Sequence, residues 1–268
     1  DNKILIKTKL LDYYIYILIK KIDKFTLFNS NFIIFLTYNI QNEFKKRFKN
    51  NFKNSLIIPC CVDYNLFDYS KKKKFNKLIR NKYKIPLDSL VFNYNGSLTG
   101  VYEFENMIKF FKKVKLRISN SFFLITSHDE NYGNKILHES YKDLINSMKI
   151  VKMPHSEIPK FLSIANISIS FIKETYARKA MSPTKLAESL ALGIPVLYNK
   201  NIGDVATIVK DLNCGQIIDY KNNQEFDNFC KNYQNFISIE ELDIINKSKE
   251  IFDISIANTK YEFVYNKL

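Results

Sequence analysis

Lys185 and Glu188 stand one helical turn apart in the run Ser182-Pro183-Thr184-Lys185-Leu186-Ala187-Glu188, and together they could hold a phosphorylated diol. The run reads as a helix with its start and stop written in. Ser182 suits the N-cap and Pro183 the first helical position. Leu186, Leu190 and Ala191 form a buried stripe. Gly193 suits the left-handed position beyond the last turn, and Pro195 forbids continuation. First-turn amides have no intrahelical acceptor, and the positive end of the helix dipole favours an anion beside them. Lys185 adds a full charge there. Glu188 is a carboxylate able to accept two hydrogen bonds from a diol. A phosphate seat beside a diol acceptor is what a nucleotide diphosphate needs. The plainer alternative is a well-capped surface helix with Lys185 and Glu188 in solvent.

Other residues could join this chemistry. Gly96-Ser97 ends an apolar run, where a glycine lets the backbone approach a phosphate closely or simply turns tightly. His155 could face a base or a sugar, or only close a loop. Arg178 and Lys179 precede the Ser182 helix and could help Lys185 neutralise a diphosphate leaving group without a metal. They could equally be loop-surface charges. His128 and His138 show no partner spacing, and Asp129 and Glu130 read as a solvated polar loop. The absence of GxGxxG and GxxxxGK disfavours a dinucleotide site or a P-loop. Neither HExxH, GxSxG nor a paired Cys/His arrangement is present. No DxD-like carboxylate pair stands at a strand end, so no metal is expected.

The elements that must position these residues alternate along the chain. Helix spacing over 4–23 is followed by a short strand over 31–36, a helix over 38–48 and a strand over 55–59. From Leu90 the pattern is regular. Strands are expected over 90–94, 122–126, 149–153, 167–172, 195–198 and 216–218. Helices are expected from about Glu103, Lys135, Ser156, Ser182 and Asp204, and helices finish the chain. This alternation predicts an α/β fold, a doubly wound parallel sheet with helices on both faces. Ligands bind such sheets outside the carboxyl ends of the strands, where the loops 95–102, 153–156 and 173–185 converge.

The chain has 268 residues and a formal charge of +14, and the excess is concentrated. Residues 1–85 hold 19 Lys and Arg against 6 Asp and Glu, while the remainder is nearly balanced. Lys45, Lys46, Arg47, Lys49 and Lys53 follow a short apolar segment, and Lys71–Lys74 form a run that reads as a solvated link. Such asymmetry suggests an anionic partner surface, with a negatively charged membrane face favoured over nucleic acid. Phe44, Phe48 and Phe52 interleave the basic residues at a spacing that helix packing explains. The four cysteines, Cys60, Cys61, Cys214 and Cys230, include no CxxC pair, which fits reduced thiols in a cytoplasmic protein. The longest apolar run, 10–19, contains Asp12 and is too short to cross a bilayer. The first residue is Asp1, which suggests that sequence is missing upstream.

The segments VFNYNGSL (91–98), MPHSEIPKFLSIANISISFI (153–172), SPTKLAESLALGIPVL (182–197) and NIGDVATIV (201–209) resemble, in this order, the nucleotide-sugar-binding domain of family-4 glycosyltransferases of the GT-B fold. FIIFLTYNIQNEFKKRF (32–48) and IPCCVDYNLF (58–67) resemble the end of the first domain and the interdomain link. The last helix, through Tyr261 and Tyr265, resembles the tail that crosses back. The resemblance implies a Rossmann-like C-terminal domain over 86–255 and a link over 59–85. It implies a remnant of an N-terminal acceptor-side domain over 1–58 and a returning helix over 256–268.

By resemblance, Glu188 binds the ribose hydroxyls, and Ser182, Pro183, Thr184 and Lys185 form the helix entrance contacting the diphosphate. Gly96 and Ser97 face the phosphates from the other side, with Tyr102 in the same loop, and His155 lies near the base. Two departures stand out. Ala180 replaces a second acid that many relatives carry, and the loop 98–102 lacks a basic residue; a subset with an SPxK helix entrance shares these features. The implied activity is transfer of a sugar, with retention, from a nucleotide diphosphate sugar to a glycan or lipid-linked acceptor. No cofactor is implied. Lys185 and Glu188 are the residues expected to carry the chemistry, and the missing upstream part is expected to leave this piece inactive alone. Two rival readings are a non-catalytic basic module for anionic membrane or nucleic acid and a GT-B-fold sugar-nucleotide epimerase. The location expected is cytoplasmic, with peripheral membrane association through residues 1–85.

Overall fold

The computed structural model describes residues 10–49 and 54–268, so Phe52 and Lys53 lie outside the described residues. The chain begins with α1 (Leu10–Asn29), then β1 (Phe32–Phe35), α2 (Tyr38–Arg47) and β2 (Asn54–Ile57). β1 and β2 pair in parallel, as expected of a βαβ unit. α3 (Lys72–Tyr83) leads into the larger body.

That body follows the alternation legible in the sequence. β3 (Leu90–Asn95), α4 (Phe104–Arg117), β4 (Ser121–Thr126), α5 (Glu130–Ser140) and β5 (Met148–Val151) build one half. α6 (Ile158–Leu162), β6 (Ile167–Ser170), α7 (Thr184–Ala191), β7 (Val196–Tyr198), α8 (Val205–Asp211) and β8 (Gly215–Ile217) build the other. α9 (Asn223–Ile237), α10 (Glu241–Phe252) and α11 (Ile254–Tyr265) close the chain. The six strands run β5-β4-β3-β6-β7-β8, all parallel. The chain steps outward from β3 to β5, returns to β6 and then steps the other way. The loops after β3 and β6 therefore part at a topological switch point and leave a crevice between them.

The central strands β3, β4, β6 and β7 are buried on both faces because helices cover both. Phe92, Phe123, Ile169 and Leu197 pack toward Phe110 and Phe111 of α4 and Phe229 of α9. On the other face Ile172, Val196 and Tyr198 pack with Leu186, Leu190, Val205 and Phe252. Each such large apolar side chain contributes about 1.5–3 kcal/mol of transfer free energy.

Residues 59–85, expected as a link, carry α3, whose Ile79 packs with Val91, Leu124 and Phe161 against the larger sheet. Within the lysine run Lys71, Lys73 and Lys74 are exposed, as expected of a solvated stretch, and Lys72 alone is buried. Lys72 is 8% exposed; its ammonium donates to Glu241 at 2.6 Å and to the Leu192 carbonyl at 2.9 Å. Burial pushes the Lys72 pKa down, against the raising effect of Glu241.

The N-terminal unit is fastened beside α7. The Thr37 hydroxyl donates to the Lys179 carbonyl at 2.6 Å, and the Asp204 carboxylate accepts the amides of Tyr38 and Asn39 at 2.6 and 2.9 Å. Asp204 thus supplies a carboxylate to the amino end of α2, where a negative charge is favoured. Gly203 is required alongside it, since a Cβ there would lie 1.9 Å from the Met181 carbonyl oxygen. Asp204→Ala is expected to cost about 1–2 kcal/mol of stability. Urea unfolding measures this, and a loss indistinguishable from zero would show that the fastening is not energetic. α11 returns to the first unit, with the Lys260 ammonium donating to the Ile57 carbonyl at 3.3 Å.

Candidate functional site

The stop signals of the α7 segment act as read. The Gly193 amide donates to Leu190 O and the Ile194 amide to Ser189 O, with Gly193 at φ 66°. That is the double hydrogen bond of a left-handed cap. The start is shifted. Pro183 is the extended residue before the helix and Thr184 its first residue, so Ser182 is not the N-cap. The Ser182 hydroxyl instead accepts the Cys60 amide at 3.1 Å, tying the interdomain segment to the helix entrance.

α7 delivers Glu188 to the crevice. The side chain is 4% exposed, and its two carboxylate oxygens are separately engaged. One lies 2.7 Å from His155 Nε2, and the other accepts Asn95 Nδ2 at 2.5 Å. Asn95 is the last residue of β3 and His155 follows β5, so two strand ends converge on one helix-borne carboxylate. The His155 ring also lies 5.7 Å from that of Phe67, centroid to centroid, which links this edge to the interdomain segment.

The Gly96 loop faces α7 across the crevice. Gly96 is at φ +140°, and a Cβ there would fall 2.0 Å from Lys185 Cε. The Lys185 ammonium donates to the Tyr102 hydroxyl at 2.7 Å. The loop itself is held by Asp129, whose carboxylate accepts the Ser97 hydroxyl at 2.7 Å and the Leu98 amide at 2.8 Å. Those two bonds hold the Asp129 carboxyl below its usual range. Asp129 thus stays at a solvated edge, as read, but it ties the Gly96 loop there.

Gly96, Ser97, His155, Thr184, Lys185 and Glu188 line one cavity of about 330 Å³. Asn95 and Thr126, register partners on β3 and β4, lie at its floor. Asn95 Oδ1 and Thr126 Oγ1 are buried there without a hydrogen-bond partner, each able to accept from a ligand or water. Asn95, Thr126 and Asp129 were missed from sequence; the one local signal was an asparagine inside an otherwise buried strand.

Ser182 and Pro183 do not join this cavity. They line a neighbouring one of about 510 Å³ with Thr37, Asn42, Asp204 and Glu250. The larger cavity has the wrong charge for a phosphate, since Asp204, Asp211 and Glu250 outweigh Lys260. Lys179 is spent elsewhere, paired with Glu43 at 2.8 Å. Arg178 gives its carbonyl to the Gly203 amide. Among the described residues, no three or more His, Cys, Asp or Glu gather closely enough to hold a metal ion.

Chemically, the cavity offers first-turn amides of Thr184 and Lys185, one ammonium and one buried carboxylate. The architecture is similar to a glycosyltransferase from Rickettsia africae ESF-5, with TM-score 0.71 and 14% identity over 91% of this chain and 66% of that one. It is similar to HepE of Anabaena in complex with UDP and glucose, with TM-score 0.67 and 15% identity over 91% and 65%. It is also similar to a UDP-forming α,α-trehalose-phosphate synthase from Burkholderia xenovorans in complex with glucose-6-phosphate, with TM-score 0.62 and 9% identity over 88% and 61%. The chain thus spans just under two thirds of the length of these structures. No curated protein matches the sequence. The expected α/β architecture, that of GT-B glycosyltransferases, is the one observed. The family model for glycosyl transferases group 1 matches residues 75–230, more than half of the chain and all of the cavity lining. The chain belongs to the group 1 glycosyl transferases.

Proposed function

We propose that this chain carries the donor side of a glycosyltransferase that moves a hexosyl-type sugar from a nucleotide diphosphate sugar to a glycan or lipid-linked acceptor. One observation carries the reading: a buried carboxylate and an ammonium, one turn apart on α7, share a cavity with the Gly96 loop at the switch point of the sheet. Glu188 accepts the ribose hydroxyls. The amides of Thr184 and Lys185 take the pyrophosphate, and Lys185 neutralises charge that builds on the departing diphosphate. Gly96 and Ser97 close over the phosphates, and His155 borders the base. The scheme assigns the charge to protein groups and calls on no cofactor. Retention of anomeric configuration and a role in polysaccharide synthesis are part of the proposal.

Calorimetric titration of the chain with UDP, GDP and ADP, against a single-stranded oligonucleotide, tests the reading. Tight binding of one diphosphate with shallow salt dependence is expected. Steep salt dependence with preference for the oligonucleotide would overturn it.

The partner surface proposed for residues 1–85 is an anionic membrane face, on the cytoplasmic side. α1 exposes Tyr14, Leu18, Ile22 and Phe25 along one stripe, with Lys21 beside it, an arrangement that suits the lipid interface. No helix of the described residues is long and apolar enough to cross a membrane. Co-sedimentation with vesicles rich in phosphatidylserine and absent with phosphatidylcholine is expected, reversed by salt. Equal sedimentation with both would contradict an electrostatic surface.

A further inference from the structure

Lys185 is held without being neutralised. Its ammonium donates to Tyr102 Oη at 2.7 Å and lies 3.9 Å from the Tyr102 ring centroid and 5.9 Å from that of Tyr94. Among the described residues, no carboxylate lies within salt-bridge distance of it. The nearest candidate on its own helix, Glu188, is turned to His155 and Asn95. Gly96 leaves open the space through which the lysine stem crosses, since a Cβ would meet both Cε at 2.0 Å and Nζ at 2.6 Å.

Tyr102 is itself fixed from two sides. It forms an antiparallel bridge with Ile172, and the flanking bonds Glu103 N to Phe171 O and Lys173 N to Val101 O tie its loop to the segment after β6. The Tyr94 ring packs edge-on against it at 6.0 Å, and the Tyr94 hydroxyl donates to the Ser97 carbonyl at 2.5 Å. The phenol is therefore a rigid support, shared between the Gly96 loop and the loop that precedes α7.

Resting on the diphosphate reading of this cavity, we propose that Tyr102 is a positioning residue that holds the Lys185 ammonium over the Gly96 loop by neutral contacts alone. A carboxylate in its place would cancel the charge and compete with the incoming phosphate. A phenol oxygen and two ring faces fix the ammonium while leaving its charge available to an anion. The ligand class is the pyrophosphate of a nucleoside diphosphate, and Tyr102 acts on it through Lys185 rather than by contact.

Two measurements on the whole chain test this. In the first, UDP, GDP and ADP are titrated, together with the monophosphate and nucleoside of whichever binds. Tyr102→Phe is expected to weaken the diphosphate about fivefold and leave the nucleoside unchanged. In a Lys185→Met background the same change is expected to do nothing. An equal loss in both backgrounds, or no loss in the first, overturns the proposal. In the second, the Lys185 ammonium is observed by ¹⁵N NMR without any ligand. Slowed proton exchange in the native chain, lost in Tyr102→Phe, is expected. Exchange as fast as that of solvated lysines overturns the hold. Slowed exchange in a chain that binds none of the three diphosphates overturns the functional reading and leaves the hold standing.

Discussion

Glu188→Ala is expected to lower nucleoside diphosphate affinity by about 10²- to 10⁴-fold, since two hydrogen bonds to a charged acceptor are worth ~1.5–3 kcal/mol each. The effect has a signature beyond its size. The native chain should prefer a ribonucleoside diphosphate to its 2′-deoxy counterpart, and the variant should lose that preference because the carboxylate that reads the hydroxyls is gone. The fold has its own stake in this residue. Asn95 is 6% exposed, and removing Glu188 strands its amide at a cost of about 1–3 kcal/mol. Thermal unfolding run beside calorimetry separates the two losses. A destabilised variant that keeps the 2′-hydroxyl preference would show Glu188 to be structural alone.

Lys185→Met is expected to act on a different part of the same ligand. Affinity for the diphosphate should fall about tenfold to 100-fold while the nucleoside binds as before, the range of one charge-assisted contact in a partly enclosed site. The loss should grow with the negative charge of the ligand, so the monophosphate should be weakened less than the diphosphate. The stem of Lys185 crosses above Gly96, so methionine retains most of its packing there. Stability should change little. A variant with native diphosphate affinity would place the neutralising charge elsewhere, with Arg178 the next group to test.

The sheet was legible because its central strands β3, β4, β6 and β7 are buried on both faces and read as short, largely apolar stretches bounded by turn residues, as in Ser121–Thr126. The end of α7 was legible for a local reason, the conformational freedom of Gly193. Its beginning was not. Ser182 looks like a cap, but its hydroxyl is taken by the amide of Cys60, a residue 122 positions away. Lys72 reads as part of a basic run, and only packing against α10 makes it a buried partner of Glu241. α5 begins at Glu130 rather than near Lys135, since its polar first turn carries no apolar stripe. Asp129 holds the Gly96 loop across the ends of β3 and β4, a contact that exists only once their register is set. The recurrent gap is long-range polar pairing, which leaves no periodicity in the chain.

The crystal structure of this chain soaked with its tightest-binding nucleoside diphosphate is the most direct test of the donor site. The expected result has pyrophosphate oxygens against the Thr184 and Lys185 amides and the Lys185 ammonium, with the sugar hydroxyls on Glu188. A nucleotide seated instead in the larger cavity beside Thr37 and Asp204, with Glu188 still turned only to His155 and Asn95, would contradict it.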